Sequence, residues 1–165
     1  MRIGVYGGSF NPVHNGHVAL ARELIEKRYL DKVLFVPVGD KYIKPDLLNA
    51  EDRYKMLKLA TSLDIGLEVT RVEIDDIRQK HTYQTLDELK EMNPRGELHF
   101  VIGSDLLQEF PTWDGNEEIV ARHNVLVLNR NGFNCRNFIT NNFPEHDNQF
   151  MIAHSLSVFL ILLLK

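Results

Sequence analysis

A chain of 165 residues with 44% hydrophobic and 25% charged residues has the balance of one globular domain with a sizeable core. Its formal charge of −4 excludes non-specific nucleic-acid binding, which needs a basic surface, and makes any phosphate binding local. The single cysteine, Cys135, excludes an internal disulfide and suits a reducing, cytoplasmic setting.

The first element, Arg2–Tyr6, is short, apolar and β-branched, and reads as a buried strand. It starts at the second residue, so no signal peptide is expected. Gly7–His17 is a glycine-rich turn. In the helix that follows, Val18, Ala21, Leu24 and Ile25 share one face. Lys32–Val38 is a second buried strand, followed by a polar loop, Gly39–Asn49. A helix is predicted over Ala50–Ser62, with Asn49 as its N-cap and Tyr54, Leu57 and Ala60/Thr61 on one face. Leu67–Ile74 reads as a third strand, and Thr82–Met92 as a helix closed by Asn93-Pro94.

Glu97–Ile102 is a fourth strand ending at Gly103-Ser104-Asp105, and a short helix and turn run from there to Trp113. A short helix at Glu117–Arg122 and strands at Asn124–Leu128 and Phe150–Ala153 complete the pattern. The segment Asn129–Asn148, rich in Asn, is expected to be a surface excursion. Val158–Leu164 is strongly apolar but far shorter than the roughly 20 residues of a membrane span.

Apolar strands alternating with helices predict an α/β fold: a doubly wound, mainly parallel sheet covered on both faces. No repeat or linker divides the chain, so residues 1–165 read as a single domain with an atypical apolar tail at 156–165. Ligands of such sheets lie beyond the carboxyl ends of the strands, at the switch point. Three polar clusters fall there: Gly7–His17, Gly39–Lys44 and Gly103–Asp105.

The first cluster carries the chemistry. Glycines allow close backbone approach, and a helix N-terminus offers free N–H groups to an anion. His14 and His17 lie on the same side of the first helical turn, where both can donate hydrogen bonds to phosphate oxygens. The other histidines and Cys135 show no metal-ligand spacing, so no protein metal site is expected. Trp113 has a flat face for stacking on a ring and can equally cap its short helix. Thr82 and Asp105 can serve as ligands or as N-caps, and Lys41 and Lys44 as phosphate ligands or solvated loop residues.

The run Gly8-x-Phe10-x-Pro12-x-His14-x-Gly16-His17 resembles the signature of the H-x-G-H nucleotidyltransferase superfamily. Thr82-Tyr83-Gln84-Thr85-Leu86 is similar, with one residue fewer, to a segment of bacterial nicotinate-nucleotide adenylyltransferases, and Gly103-x-Asp105 with Trp113 is similar to another. The resemblance implies a Rossmann-like fold and transfer of the adenylyl group of ATP to nicotinate mononucleotide, with Mg²⁺ riding on the triphosphate. It implies His14 and His17 as catalytic residues. Gly8, Ser9, Phe10, His14, Gly16, His17, Gly103, Asp105 and Ser155 would bind ATP. Lys44, then Lys41, with Thr82, Tyr83, Thr85 and Trp113 would bind the acceptor. Partners would be small nucleotides, with no nucleic acid or membrane; homo-oligomerisation is left open.

Two departures stand out. The family's Pro-Pro-His-Lys is replaced by Tyr42-Ile43-Lys44-Pro45, and its Ile-Ser-Ser/Thr-x-x-Arg by Ile152-Ala-His-Ser155-Leu-Ser157. These keep two alternatives alive: a transferase acting on another acceptor such as phosphopantetheine, and an ATP-binding module with weak turnover.

Overall fold

The computed structural model describes residues 1–42, 44–130, 132–154 and 156–157. Six strands form one all-parallel sheet: β1 (Arg2–Gly8), β2 (Lys32–Pro37), β3 (Leu67–Val69), β4 (Glu97–Gly103), β5 (Asn124–Leu128) and β6 (Phe150–Ala153). Their order is β3-β2-β1-β4-β5-β6, the doubly wound arrangement expected. Helices α1 (Asn15–Glu26), α2 (Ala50–Thr61), α3 (Thr82–Met92), α4 (Ser104–Glu109), α5 (Asn116–Arg122) and α6 (Cys135–Asn142) make the connections.

Alternation along the strands divides the core in two. Leu34, Val36, Val125 and Val127 face a cluster with Leu86 and Leu89 of α3, Leu107 of α4, Ile119 of α5 and Ile139 of α6. Val33, Phe35, Leu126 and Leu128 face the other, with Leu20, Ala21 and Leu24 of α1 and Leu57 of α2. A sheet buried on both faces needs apolar residues at successive positions, and the strands supply them.

Three expectations require correction. The third strand spans Leu67–Val69 rather than Leu67–Ile74. It is an edge strand; past it, Thr70 N–H still reaches Phe35 O, and Asp75 N–H then turns back to Arg71 O. The buried face of α2 is Ala50, Arg53, Leu57 and Thr61, so an arginine occupies a core position and Ala60 is exposed. The segment 129–148 is not an excursion: it contains α6, whose Cys135 and Ile139 are buried together with Phe143.

The register shows why a cleft opens at the centre. β1 pairs with β4 only from Arg2↔Glu97 to Val5↔Phe100. Beyond that, Tyr6–Gly8 continue against β2, and Val101–Gly103 against β5. The two central strands part at the switch point, and the site lies where they part.

Candidate functional site

A cavity of about 230 Å³ occupies this opening, lined by Tyr6, Gly7, Gly8, Ser9, Phe10 and His17 on one side and by Val101, Ile102, Gly103 and Leu106 on the other. Leu106 also walls a larger cavity of about 530 Å³, lined by Lys41, Thr82 and Trp113 among others. The two hollows therefore meet at one side chain of α4.

The histidine pair is built by the start of α1. His14 is the N-cap, and its Nδ1 accepts from Gly16 N–H at 3.1 Å. His17, at N3, accepts from His14 N–H through its own Nδ1 at 3.0 Å. This is a capping box made of imidazoles. The two rings stack with centroids 3.6 Å apart. Because both Nδ1 atoms accept, each neutral ring carries its proton on Nε2. Burial, and then the neighbouring His14, pushes the His17 pKa down to about 4. At neutral pH His17 is thus an uncharged Nε2–H donor.

The turn before the helix is held from behind. Phe10 has φ +46, an uncommon conformation for a bulky residue, and its ring is buried against Tyr6, His17 and Phe35. Arg53 Nη1 donates to Ser9 O at 2.8 Å, and its Nε to Leu48 O at 2.8 Å. Asn11 donates to Asp46 O and accepts from Leu48 N–H, both at 2.9 Å. The loop 39–49 and the Gly8–Pro12 turn are stitched together by side chains of each.

The expected site residues separate into groups. Gly8, Ser9, Phe10, His17 and Gly103 line the smaller cavity. Gly16 and His14 shape the turn without lining that cavity; Gly16 is buried. Asp105 is in the first turn of α4, whose N-cap is Gly103, so it caps nothing and its carboxylate is 60% exposed at the rim. Lys41, Thr82 and Trp113 line the larger cavity, whereas Lys44 turns the other way and donates to Ser9 Oγ at 3.1 Å. The N-cap of α3 is His81, not Thr82, with Gln84 Oε1 accepting from His81 N–H. Tyr83 packs over Gly115 and the apolar core. Thr85 is buried, and its hydroxyl donates to Glu73 at 2.9 Å, so that hydroxyl supports the cavity wall rather than facing a ligand. Burial raises the Glu73 carboxyl above the usual carboxylate range, against that hydrogen bond and the pull of Lys80. Trp113 is wedged against Phe110 and Phe100, with ring centroids 5.4 and 6.1 Å away. Ser155 and the run Val158–Leu164 lie outside the described residues.

Two arginines that the sequence reading does not place among the site residues complete the site. Arg130, just beyond β5, lines the smaller cavity opposite Gly8. Arg53 is a fully buried brace. Among the described residues no group of three or more His, Cys, Asp or Glu could hold a metal ion, and no helix is long and apolar enough to cross a membrane.

The chain matches the family described as "Cytidylyltransferase-like" over residues 5–158. It is 41% identical over 132 residues to a protein of Maridesulfovibrio salexigens named "Probable nicotinate-nucleotide adenylyltransferase", covering 79% of this chain and 61% of that one. A protein of the same name from Leifsonia xyli subsp. xyli is 33% identical over 157 residues, covering 95% of this chain and 77% of that one. The chain thus spans between 61% and 77% of the length of these two curated relatives. Among solved structures, the Plasmodium falciparum nicotinic acid mononucleotide adenylyltransferase complexed with NaAD superposes with a TM-score of 0.74 at 21% identity, covering 97% of this chain and 78% of that one. This likeness shows the shared fold. On the family match and the identity to these relatives, the chain belongs to the cytidylyltransferase-like family, among the nicotinate-nucleotide adenylyltransferases.

Proposed function

We propose that this protein transfers the adenylyl group of ATP to nicotinate mononucleotide, forming nicotinate adenine dinucleotide and pyrophosphate. The observation that carries the proposal is the pair of cavities meeting at Leu106. One is edged by the Gly8–His17 turn and suits a polyphosphate. The other offers Trp113 as a stacking face, the Thr82 hydroxyl and the Lys41 ammonium, which suit a pyridine mononucleotide.

In this reading an oxygen of the acceptor phosphate attacks the α-phosphorus of ATP in line. The bond between that phosphorus and the bridging oxygen breaks, and pyrophosphate leaves with the electron pair. The protein positions the two phosphates and stabilises developing charge. His17 Nε2–H donates to a phosphate oxygen, and His14 holds the ring in that tautomer. Peptide N–H groups of the Ser9–Phe10 turn add further donors. Asp105, exposed at the rim, would contact the ATP ribose. Lys44, held on Ser9, would serve the phosphates from the turn side, which leaves Lys41 as the better-placed acceptor lysine. Mg²⁺ would arrive on the triphosphate of the substrate and offset its charge.

The test is pyrophosphate release from ATP with nicotinate mononucleotide and, separately, nicotinamide mononucleotide. Turnover with the first is the expected result. Turnover with neither overturns the acceptor assignment.

A further inference from the structure

The smaller cavity has a wall that no recognised motif supplies. Arg130 follows β5 and turns its side chain back over the carboxyl end of β4. Its main chain is pinned there: Arg130 N–H donates to Ser104 Oγ at 3.2 Å, and Ser104 Oγ lies 3.3 Å from Arg130 O. Ser104 itself is buried. The guanidinium lies against Gly103. A Cβ at that position would come within 2.9 Å of Nη2 and 3.0 Å of both Cζ and Nε. Three atoms at nearly one distance mean that the guanidinium plane covers the glycine, and only a residue without a side chain leaves that space.

A further contact holds the group beside the cleft that it lines. Arg130 Nη1 stands 3.5 Å from Asp105 Oδ2, and the side chain is only 10% exposed. The same cavity is lined by Gly8, Ser9, Phe10 and His17 on the facing side. His17 is held by its capping bond to His14 as a neutral donor. Among the described lining residues, Arg130 is then the side chain with a fixed positive charge. A planar fork of N–H groups in a half-closed hollow matches two oxygens of a phosphate, a fit that lysine does not reproduce.

We propose that Arg130 is a polyphosphate-binding residue, which grips the phosphates of ATP opposite the Gly8–His17 turn and neutralises charge on the departing pyrophosphate. This rests on the adenylyl-transfer reading for its chemistry. It concerns no bond beyond the one already described: the electron pair of the broken phosphorus–oxygen bond stays on pyrophosphate, and Arg130 gives up no proton. Gly103 is the residue that makes room for it.

The experiment compares wild type, Arg130→Gln, Arg130→Lys and Gly103→Ala. Binding of ATP, inorganic pyrophosphate and adenosine is measured by calorimetry, alongside pyrophosphate release with nicotinate mononucleotide. Arg130→Gln should weaken ATP and pyrophosphate roughly 10- to 100-fold, leave adenosine within about twofold, and lower kcat about 100-fold. Arg130→Lys should recover only part of this. Gly103→Ala keeps the charge but displaces the group, and should show the same pattern more weakly while melting close to wild type. Unchanged pyrophosphate affinity in Arg130→Gln overturns the proposal. So does an equal loss for adenosine and ATP, which would mark a structural role through Asp105. If wild type turns over neither mononucleotide but Arg130→Gln still loses pyrophosphate binding, the acceptor assignment fails and the role of Arg130 stands.

Discussion

Arg53 Nη1 reaches 2.8 Å to the carbonyl oxygen of Ser9 from a side chain with no solvent exposure. In a trans peptide the carbonyl and the following N–H point in opposite directions. By fixing Ser9 O, Arg53 turns Phe10 N–H away from itself. An α2 residue thereby orients an N–H group that the proposed mechanism uses as a phosphate donor. Its Nε, bonded to Leu48 O at 2.8 Å, ties the loop beside the larger cavity to the same brace.

Arg53→Met should therefore act on stability and on ATP together. Two part-buried carbonyls lose a charged donor, at a cost of about 3 kcal/mol in all. Denaturant unfolding measures the first effect, and calorimetry should show ATP weakened several-fold with adenosine nearly unchanged. A stability loss below about 1 kcal/mol would contradict the brace.

His17 should resist protonation. Its ring is pushed down to about 4, so on acidification it should keep its neutral NMR shifts to about pH 5, well below the usual 6.5. The sign for stability follows. The unfolded ring takes its proton at about 6.5 and the folded ring only near 4, so stability falls as pH drops from 6.5 towards 4. His17→Gln removes this contribution and should make the acid-side decline shallower. A His17 resonance titrating at 6.5 would refute the assigned environment.

Gly115 is the N-cap of α5 with φ +80, and a Cβ there would lie 2.0 Å from the Tyr83 ring. Gly132 also has positive φ, at +65, but nothing lies within 4 Å of its would-be Cβ. Gly132→Ala should cost about 1 kcal/mol through backbone strain alone, and Gly115→Ala about 2 kcal/mol more. Equal melting temperatures for the two variants would show that Tyr83 does not pack there.

Trp113→Phe should keep the contacts with Phe110 while reducing the stacking face in the larger cavity. Steady-state kinetics should show KM for the acceptor rising about tenfold and KM for ATP unchanged. An equal rise for both would place the indole outside the acceptor site.

Much of the fold was legible because it depends on local pattern. The limits of Thr82–Met92, Asn124–Leu128 and Phe150–Ala153 follow from apolar runs and Asn-Pro punctuation. The helix at Cys135–Asn142 was hidden because Cys135, Ile139 and Phe143, buried four residues apart, are diluted by asparagines. The site was legible as far as its motifs ran. His14 and His17 announced themselves by spacing, but their mutual capping through Nδ1 appears only in three dimensions. Neither Arg53 nor Arg130 is placed in the site by sequence alone, for a shared reason: nothing local distinguishes a buried arginine from a solvated one. Arg53 is recognised by a carbonyl 44 residues away, and Arg130 by a glycine on a neighbouring strand.

The most direct test of the account is pyrophosphate release from ATP and nicotinate mononucleotide by wild type and by His17→Ala. The account predicts dinucleotide formation by wild type, a 100- to 1,000-fold lower kcat for His17→Ala, and unchanged acceptor binding. Wild type that releases pyrophosphate with neither mononucleotide, or His17→Ala that turns over at the wild-type rate, would contradict it.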